Sequence, residues 1–208
     1  MRRVGDRLVL ASHNRGKLRE IEALVTPFGI AVSTADEHGM SEHVEDGTTF
    51  AATARLKAGI AARGTGLPAL SDDSGLEVTA LSGRPGVYTA DWAETGHGRS
   101  FPMAMQRVRR WIKDHDASAS PTPPALRTAR FVCTLCLMWP DGENLVFEGA
   151  VEGHLVWPMR GTLGFGFDPI FQPNGRSETF GEIPADEKHA ISHRAVAFAK
   201  LKAHLADG

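Results

Sequence analysis

One tyrosine and two cysteines are all that this 208-residue sequence has of those residue types, and no apolar run approaches the roughly 20 residues needed to span a bilayer. The last absence excludes a membrane helix and leaves a soluble protein as the expectation. The start, MRRVGDRLVLASHN, is apolar only over Leu8 to Ala11, too short for a secretory core, so the cytoplasm is the expected compartment. Neither sign of charge dominates: the net charge of −2 argues against broad electrostatic binding of a nucleic-acid backbone. A polyanionic ligand must therefore be small and held by a local group of cations. The cysteines, Cys133 and Cys136, have CxxC spacing, which invites a redox or zinc role. They lie in the strand-like run RFVCTLCLMW, where residues three apart face opposite sides, and no second Cys/His pair accompanies them. Buried thiols in a reducing compartment are the expectation.

The composition, 42% hydrophobic and 23% charged, is ordinary for a globular protein, and the length suits one substantial α/β domain, or two lobes sharing one core, with a single catalytic unit over 1–208 as the default expectation. Leu8 to Ala11 reads as a buried strand, followed by the polar turn SHNRGK and a helix with Leu18, Ile21, Leu24 and Val25 on one face, ending near Pro27 to Gly29. A second helix is expected over Thr48 to Arg63, with Phe50, Leu56 and Ile60 spaced along it and Gly64 to Pro68 closing it. Ala69 to Ser71 then reads as a short strand leading into an acidic turn, DDSG. A loop, an amphipathic helix from Pro102 to His115 and the surface stretch SASPTPP come next. Arg130 to Trp139 and Asn144 to Trp157 read as antiparallel strands joined at Asp141-Gly142, so the sheet is expected to be mixed. The final helix carries Phe198, Leu201 and Leu205 inward, with Ser192 as its N-cap and His193 and Arg194 in its first turn.

Four constellations carry chemistry. In SHNRGK (Ser12, His13, Asn14, Arg15, Gly16, Lys17), small and polar residues between strand and helix suit a phosphate, though the GxxxxGK[ST] spacing is missing and such junctions are commonly structural. Glu45, Asp72 and Asp73 form a carboxylate set; adjacent aspartates repel unless a cation or water screens them, and magnesium suits such oxygens, while a solvated turn explains them equally. In GFGFDPIF, glycines flanking Phe165 leave a ring available for stacking and Asp168 able to meet a base edge; a turn with two core phenylalanines is the plainer reading. Lys188, Ser192, His193 and Arg194 bring cations to a helix N-terminus, against the macrodipole, as an anionic or carbonyl-rich partner would require and as a solvated face would also allow.

Taken in order, LASHNRGKLREIEAL, EDGTTF with LKA, LPALSDDSGLEV, GRPGVYTA, ARF, GFGFDPIF and EKHAISHR resemble the inosine triphosphate pyrophosphatase family, the RdgB-like non-canonical purine NTP pyrophosphatases, over nearly the whole chain. The resemblance implies a two-lobed α/β fold with a mixed central sheet flanked by helices and an active-site cleft. It implies hydrolysis of ITP, dITP and XTP to the monophosphate and pyrophosphate, cleansing the nucleotide pool. By position it implies phosphate binding at Ser12 to Lys17 and Lys57, and metal binding by Glu45 and Asp73 with Asp72 beside them. Asp73 becomes the general base and Ser74 a substrate contact. Phe165, Gly166, Phe167, Asp168, Lys188, His193 and Arg194 build the base pocket.

Magnesium, with manganese as its substitute, is the implied cofactor, and a homodimer the implied assembly, to which the residues around Val87 to Trp92 could contribute as readily as to the core. Nucleic acid and membrane are not expected partners. The chain departs from the family pattern at Ala52 and Thr53, where an acidic residue and asparagine are usual, at Phe167, where tyrosine or tryptophan is common, and at His13, often glycine. A Maf-like nucleotide pyrophosphatase and a non-catalytic nucleotide or RNA-binding module are the competing readings.

Overall fold

The computed structural model describes residues 2–12, 21–40, 47–115 and 127–206. The stretch SASPTPP, residues 13–17 of the first loop and Glu45 lie outside them. Eight strands are described: β1 (Arg7–Leu10), β2 (Ala31–Thr34), β3 (Ala69–Val78), β4 (Glu94–Thr95), β5 (Gly98–Arg99), β6 (Thr128–Met138), β7 (Asn144–Leu155) and β8 (Phe171–Pro173). The helices are α1, described over 21–25, α2 (Phe50–Thr65), α3 (Phe101–His115), α4 (Ala185–Ile191) and α5 (His193–Ala206). The main sheet has the order β2-β1-β3-β6-β7-β8; β1 pairs in parallel with β2 and β3, and β7 pairs antiparallel with β8. The sheet is mixed, as expected.

Two compact units divide the chain: Met1–Asp73 with Cys133–Gly149 and Val196–Gly208, and Ser74–Val132 with Ala150–Ala195. In the first, side-chain alternation along the strands builds an apolar layer on each face. One holds Leu8, Leu10, Leu70, Cys133, Leu135 and Leu137 under Ile21 and Val25 of α1 and Phe198 and Leu201 of α5. The other holds Val9, Ala69, Cys136 and Met138 under Ala54, Ala58, Ala61 and Ala62 of α2. The two cysteines thus face opposite layers, both as free thiols, and burial pushes Cys136 up to about 11.

Helix α2 differs from its expected face. Phe50 is buried, but the packing surface is alanine, and Leu56 and Ile60 are only half-buried. Small side chains let the helix lie close to the strands; a Cβ at Gly59 would stand 3.1 Å from Met138 Sδ. Thr49 caps its start by accepting from Ala52 N, and Gly66, with φ 70°, ends it in the left-handed conformation that glycine tolerates. Helix α1 passes into a 3-10 turn, Thr26–Phe28, stopped by Gly29 at φ 70°.

The second unit packs α3, through Ala104, Met105, Val108 and Ile112, against Leu76, Val78, Phe131 and Leu155. Phe131, Phe171 and Phe180 form its aromatic centre, with ring centroids 4.5 and 5.2 Å apart along the series. Trp92 belongs to this core, edge-on to Trp111 at 4.9 Å, so within the 87–92 stretch Tyr88 is the exposed large apolar residue and Trp92 is packing.

A second correction concerns DDSG. It is not a turn after a strand: β3 continues through it for ten residues. Charged residues read as a break in the apolar pattern, but β3 lies next to β6 in the sheet and runs on past its pairing with β1, which ends at Leu70, because backbone groups can pair in a ladder whatever the side chains.

Candidate active site

The parallel ladder of β1 and β3 joins Val9 to Ala69 and Leu10 to Leu70, and Ala11 N donates to Leu70 O at 2.8 Å. Beyond that point β1 gives way to Ser12 and the SHNRGK loop, while β3 runs on to Asp72 and Asp73. From β1 the chain goes to β2 on one side of the sheet and returns to β3 on the other. The carboxyl end of β1 is therefore a topological switch point, where open α/β sheets bind ligands.

Ser71 Oγ donates to Ala54 O at 2.5 Å, tying β3 to α2 one turn before Lys57. Lys57 Nζ then stands 3.5 Å from Asp73 Oδ1, with the side chains 18% and 10% exposed. A mostly buried carboxylate beside an ammonium, next to the start of the loop, is the geometry that phosphate chemistry needs. Successive strand residues point to opposite faces, so Asp72 faces away from Lys57 and cannot join Asp73 around one ion. Among the described residues no three His, Cys, Asp or Glu side chains are grouped for a metal. His13, Asn14, Arg15, Gly16, Lys17 and Glu45 lie outside the described residues. Thr53, the departure from the family pattern, is buried, and a Cβ at Gly47 would meet its Oγ1 at 2.1 Å. That position serves close packing.

In the second unit, Ser74 Oγ is buried without a hydrogen-bond partner among the described residues. The GFGFD loop is held by Asp168, which is 3% exposed. Its Oδ2 accepts from Phe165 N at 2.7 Å and from Lys188 Nζ in a short charge-assisted bond. Burial raises the Asp168 pKa, and the charges of Lys188 and Arg194 oppose that rise. Lys188 Nζ lies 4.5 Å from the centroid of Phe165, whose ring is 69% exposed, and 5.5 Å from that of Phe180. Phe167 does the reverse, its ring 1% exposed and edge-on to Phe101 at 5.8 Å. Of the two phenylalanines one is core and one is presented, and Asp168 is spent on the loop and the lysine rather than turned outward.

Ser192 Oγ accepts from Ala195 N at 3.1 Å, the expected cap of α5, and its first turn carries His193 and Arg194. His193 stacks on Phe131 at 5.1 Å with ring planes 17° apart. Phe131 and Phe180 beneath these groups were not expected as site residues, and Gly164 was expected only as a glycine flanking Phe165. Gly164 has φ 74°, and a Cβ there would lie 2.1 Å from Asp168 Oδ2 and 3.2 Å from Lys188 Nζ. Its place at the head of the GFG string was the available signal.

The chain is similar to known proteins over nearly its whole length. The chain is 55% identical over 197 residues to the dITP/XTP pyrophosphatase of Ruegeria pomeroyi, covering 95% of this chain and 94% of that one. Among solved structures it resembles a HAM1 protein from Coxiella burnetii, with TM-score 0.89 and 35% identity over 97% of this chain and 99% of that one. The Ham1 protein of Staphylococcus aureus gives TM-score 0.85 and 32% identity over 97% and 98%. The family model of the Ham1 family matches residues 8–204, and this chain belongs to that family.

Proposed function

We propose that this chain hydrolyses non-canonical purine nucleoside triphosphates, ITP, dITP and XTP, to the monophosphate and pyrophosphate. The observation that carries the reading is the Lys57–Asp73 pair, mostly buried beside the carboxyl end of β1 where the SHNRGK loop begins. The relatives' name, dITP/XTP pyrophosphatase, supplies the substrate class.

Ser12 to Lys17 and Lys57 hold the triphosphate. Asp73 takes a proton from a water whose oxygen attacks the α-phosphorus; the bond from that phosphorus to the bridging oxygen breaks, and pyrophosphate leaves with its charge met by Lys17 and Lys57. The donors suit magnesium: Asp73 and Glu45 are hard carboxylate ligands, and Asp72, on the other face of β3, is not part of the set. Bound there, the ion lowers the pKa of water and screens phosphate charge.

Phe165 stacks on the purine and Lys188 and Arg194 donate to the six-position carbonyl, which adenine lacks. Phe167 supports the loop from below, and Asp168 keeps Lys188 aimed. Ser74 and His193 complete the substrate contacts. The two units work as one catalytic domain, in a cytoplasmic homodimer. Incubation with ITP, XTP, dUTP and ATP plus magnesium tests the proposal. Pyrophosphate from ITP and XTP alone is the expected result; dUTP turnover would favour a Maf-like enzyme, and no turnover a binding module.

A further inference from the structure

A buried hydroxyl lies on the strand beside Asp73. Arg130, early in β6, is paired with Glu77, late in β3, at 2.6 Å, while Leu137, late in β6, shares an apolar layer with Leu70, early in β3. Early residues of one strand meet late residues of the other, so β6 runs antiparallel to β3. Four residues back from Glu77 is Asp73, and four on from Arg130 is Thr134, so the pairing that joins Arg130 to Glu77 puts Thr134 opposite Asp73 or diagonal to it on the same face.

Alternation agrees with that placement. Ser71 and Asp73 face α2, through the Ala54 carbonyl and Lys57, and on β6 Cys136 and Met138 pack in the α2 layer. Thr134, two residues before Cys136, faces the same way. Its neighbours on that face of β6 are Val132 and Cys136, and the other hydroxyl of that face, Thr128, is exposed at the start of the strand. Thr134 is 0% exposed, and its Oγ1 has no hydrogen-bond partner among the described residues. Valine has the same shape and would fill the place without burying a polar atom, so packing alone does not account for threonine.

We propose that Thr134 is a positioning residue for the Asp73 carboxylate. The hydroxyl donates to Asp73 from the neighbouring strand when the carboxylate turns from Lys57 into its working orientation. Held from β6 and faced by Lys57 from α2, the carboxylate presents one oxygen to cation and water in a defined direction. The inference rests on the reading of Asp73 as the reactive carboxylate.

Thr134→Val tests it, with Thr134→Ser as the rescue. For T134V we expect kcat on ITP to fall about tenfold with KM within about twofold, as for a group that acts on the transition state through another. Calorimetric titration with Mn2+ alone should show binding weakened about fivefold, because the carboxylate is less ordered. The melting temperature should stay level or rise, and T134S should restore both turnover and metal affinity. T134V with kcat and Mn2+ affinity within about twofold of the parent overturns the proposal. If T134V does not fold, T134A and T134S replace it: loss in the first with retention in the second supports the role, and equal behaviour overturns it. Asp73→Asn is measured alongside. An active D73N overturns the reading of Asp73 and this inference with it, whereas an inactive D73N beside a normal T134V overturns this inference alone.

Discussion

Among the described residues each unit holds a buried lysine–carboxylate pair, and the two pairs are built differently. Lys57 and Asp73 meet at 3.5 Å, beyond ordinary hydrogen-bond length, across a helix and a strand. Lys188 and Asp168 are in a short bond, and the same Asp168 oxygen also accepts from Phe165 N. Under the proposed function, a carboxylate that must take a proton or a cation is held loosely by its lysine, and one that must fix a loop is saturated. The same two residue types would then serve reaction in one place and orientation in the other.

The largest expected effect breaks the first pair. Asp73→Asn should lower kcat by about a thousandfold or more, measured as pyrophosphate released from ITP, while far-UV circular dichroism is unchanged. Near-normal turnover would mean that the comparison assigns the chemistry to the wrong pair. Lys188→Met should act on selectivity instead: kcat/KM for ITP falls about a hundredfold while the low ATP rate barely moves, so the ratio of the two is the measurement.

Asp168→Ala should show the structural half of the contrast. Removing one partner of a buried pair leaves Lys188 uncompensated, at a cost of about 3 kcal/mol in urea unfolding. Gly164→Ala sharpens this further. Its Cβ would collide with Asp168 Oδ2 at 2.1 Å and its φ of 74° is unfavourable to alanine, so a loss of about 1–2 kcal/mol and a roughly tenfold fall in ITP kcat/KM are expected.

The smallest effect is on pH. Burial raises the folded pKa of Asp168 above its unfolded value. Its contribution to stability is then full below the unfolded pKa and is lost as pH rises through the folded one. Asp168→Asn should remove that part of the slope in urea midpoints taken from about pH 3 to 7.

Much of the frame was legible because it depends on local physics. The caps at Gly29 and Ser192, helix α3 and the β6–β7 hairpin follow from glycine's backbone freedom, short hydroxyl side chains and periodicity. The opposite facing of Cys133 and Cys136 followed from strand alternation alone. The inward face of α2 was misjudged because alanine carries little hydrophobic signal, yet it lets helix and sheet approach most closely. Helix α4 was not foreseen. Its seven residues are mostly polar and bury none, so what holds it is tertiary: Lys188 to Asp168 and Arg176 to Glu187 at 2.7 Å. DDSG was read as a turn because two charges suggest solvent.

The sequence by itself determined the α/β class, the element order and, through GFGFDPIF, SDDSG and EKHAISHR, the family. Only tertiary structure decided which side chains share a face and which cation meets which carboxylate. Asp72 and Asp73 are neighbours in the chain, but strand geometry sends them to opposite sides. Asp73 and Thr134 are far apart in the chain, and the neighbouring strands β3 and β6 bring them to one face of the sheet. Contacts of that kind depend on register, which many weak local preferences settle jointly and none settles alone.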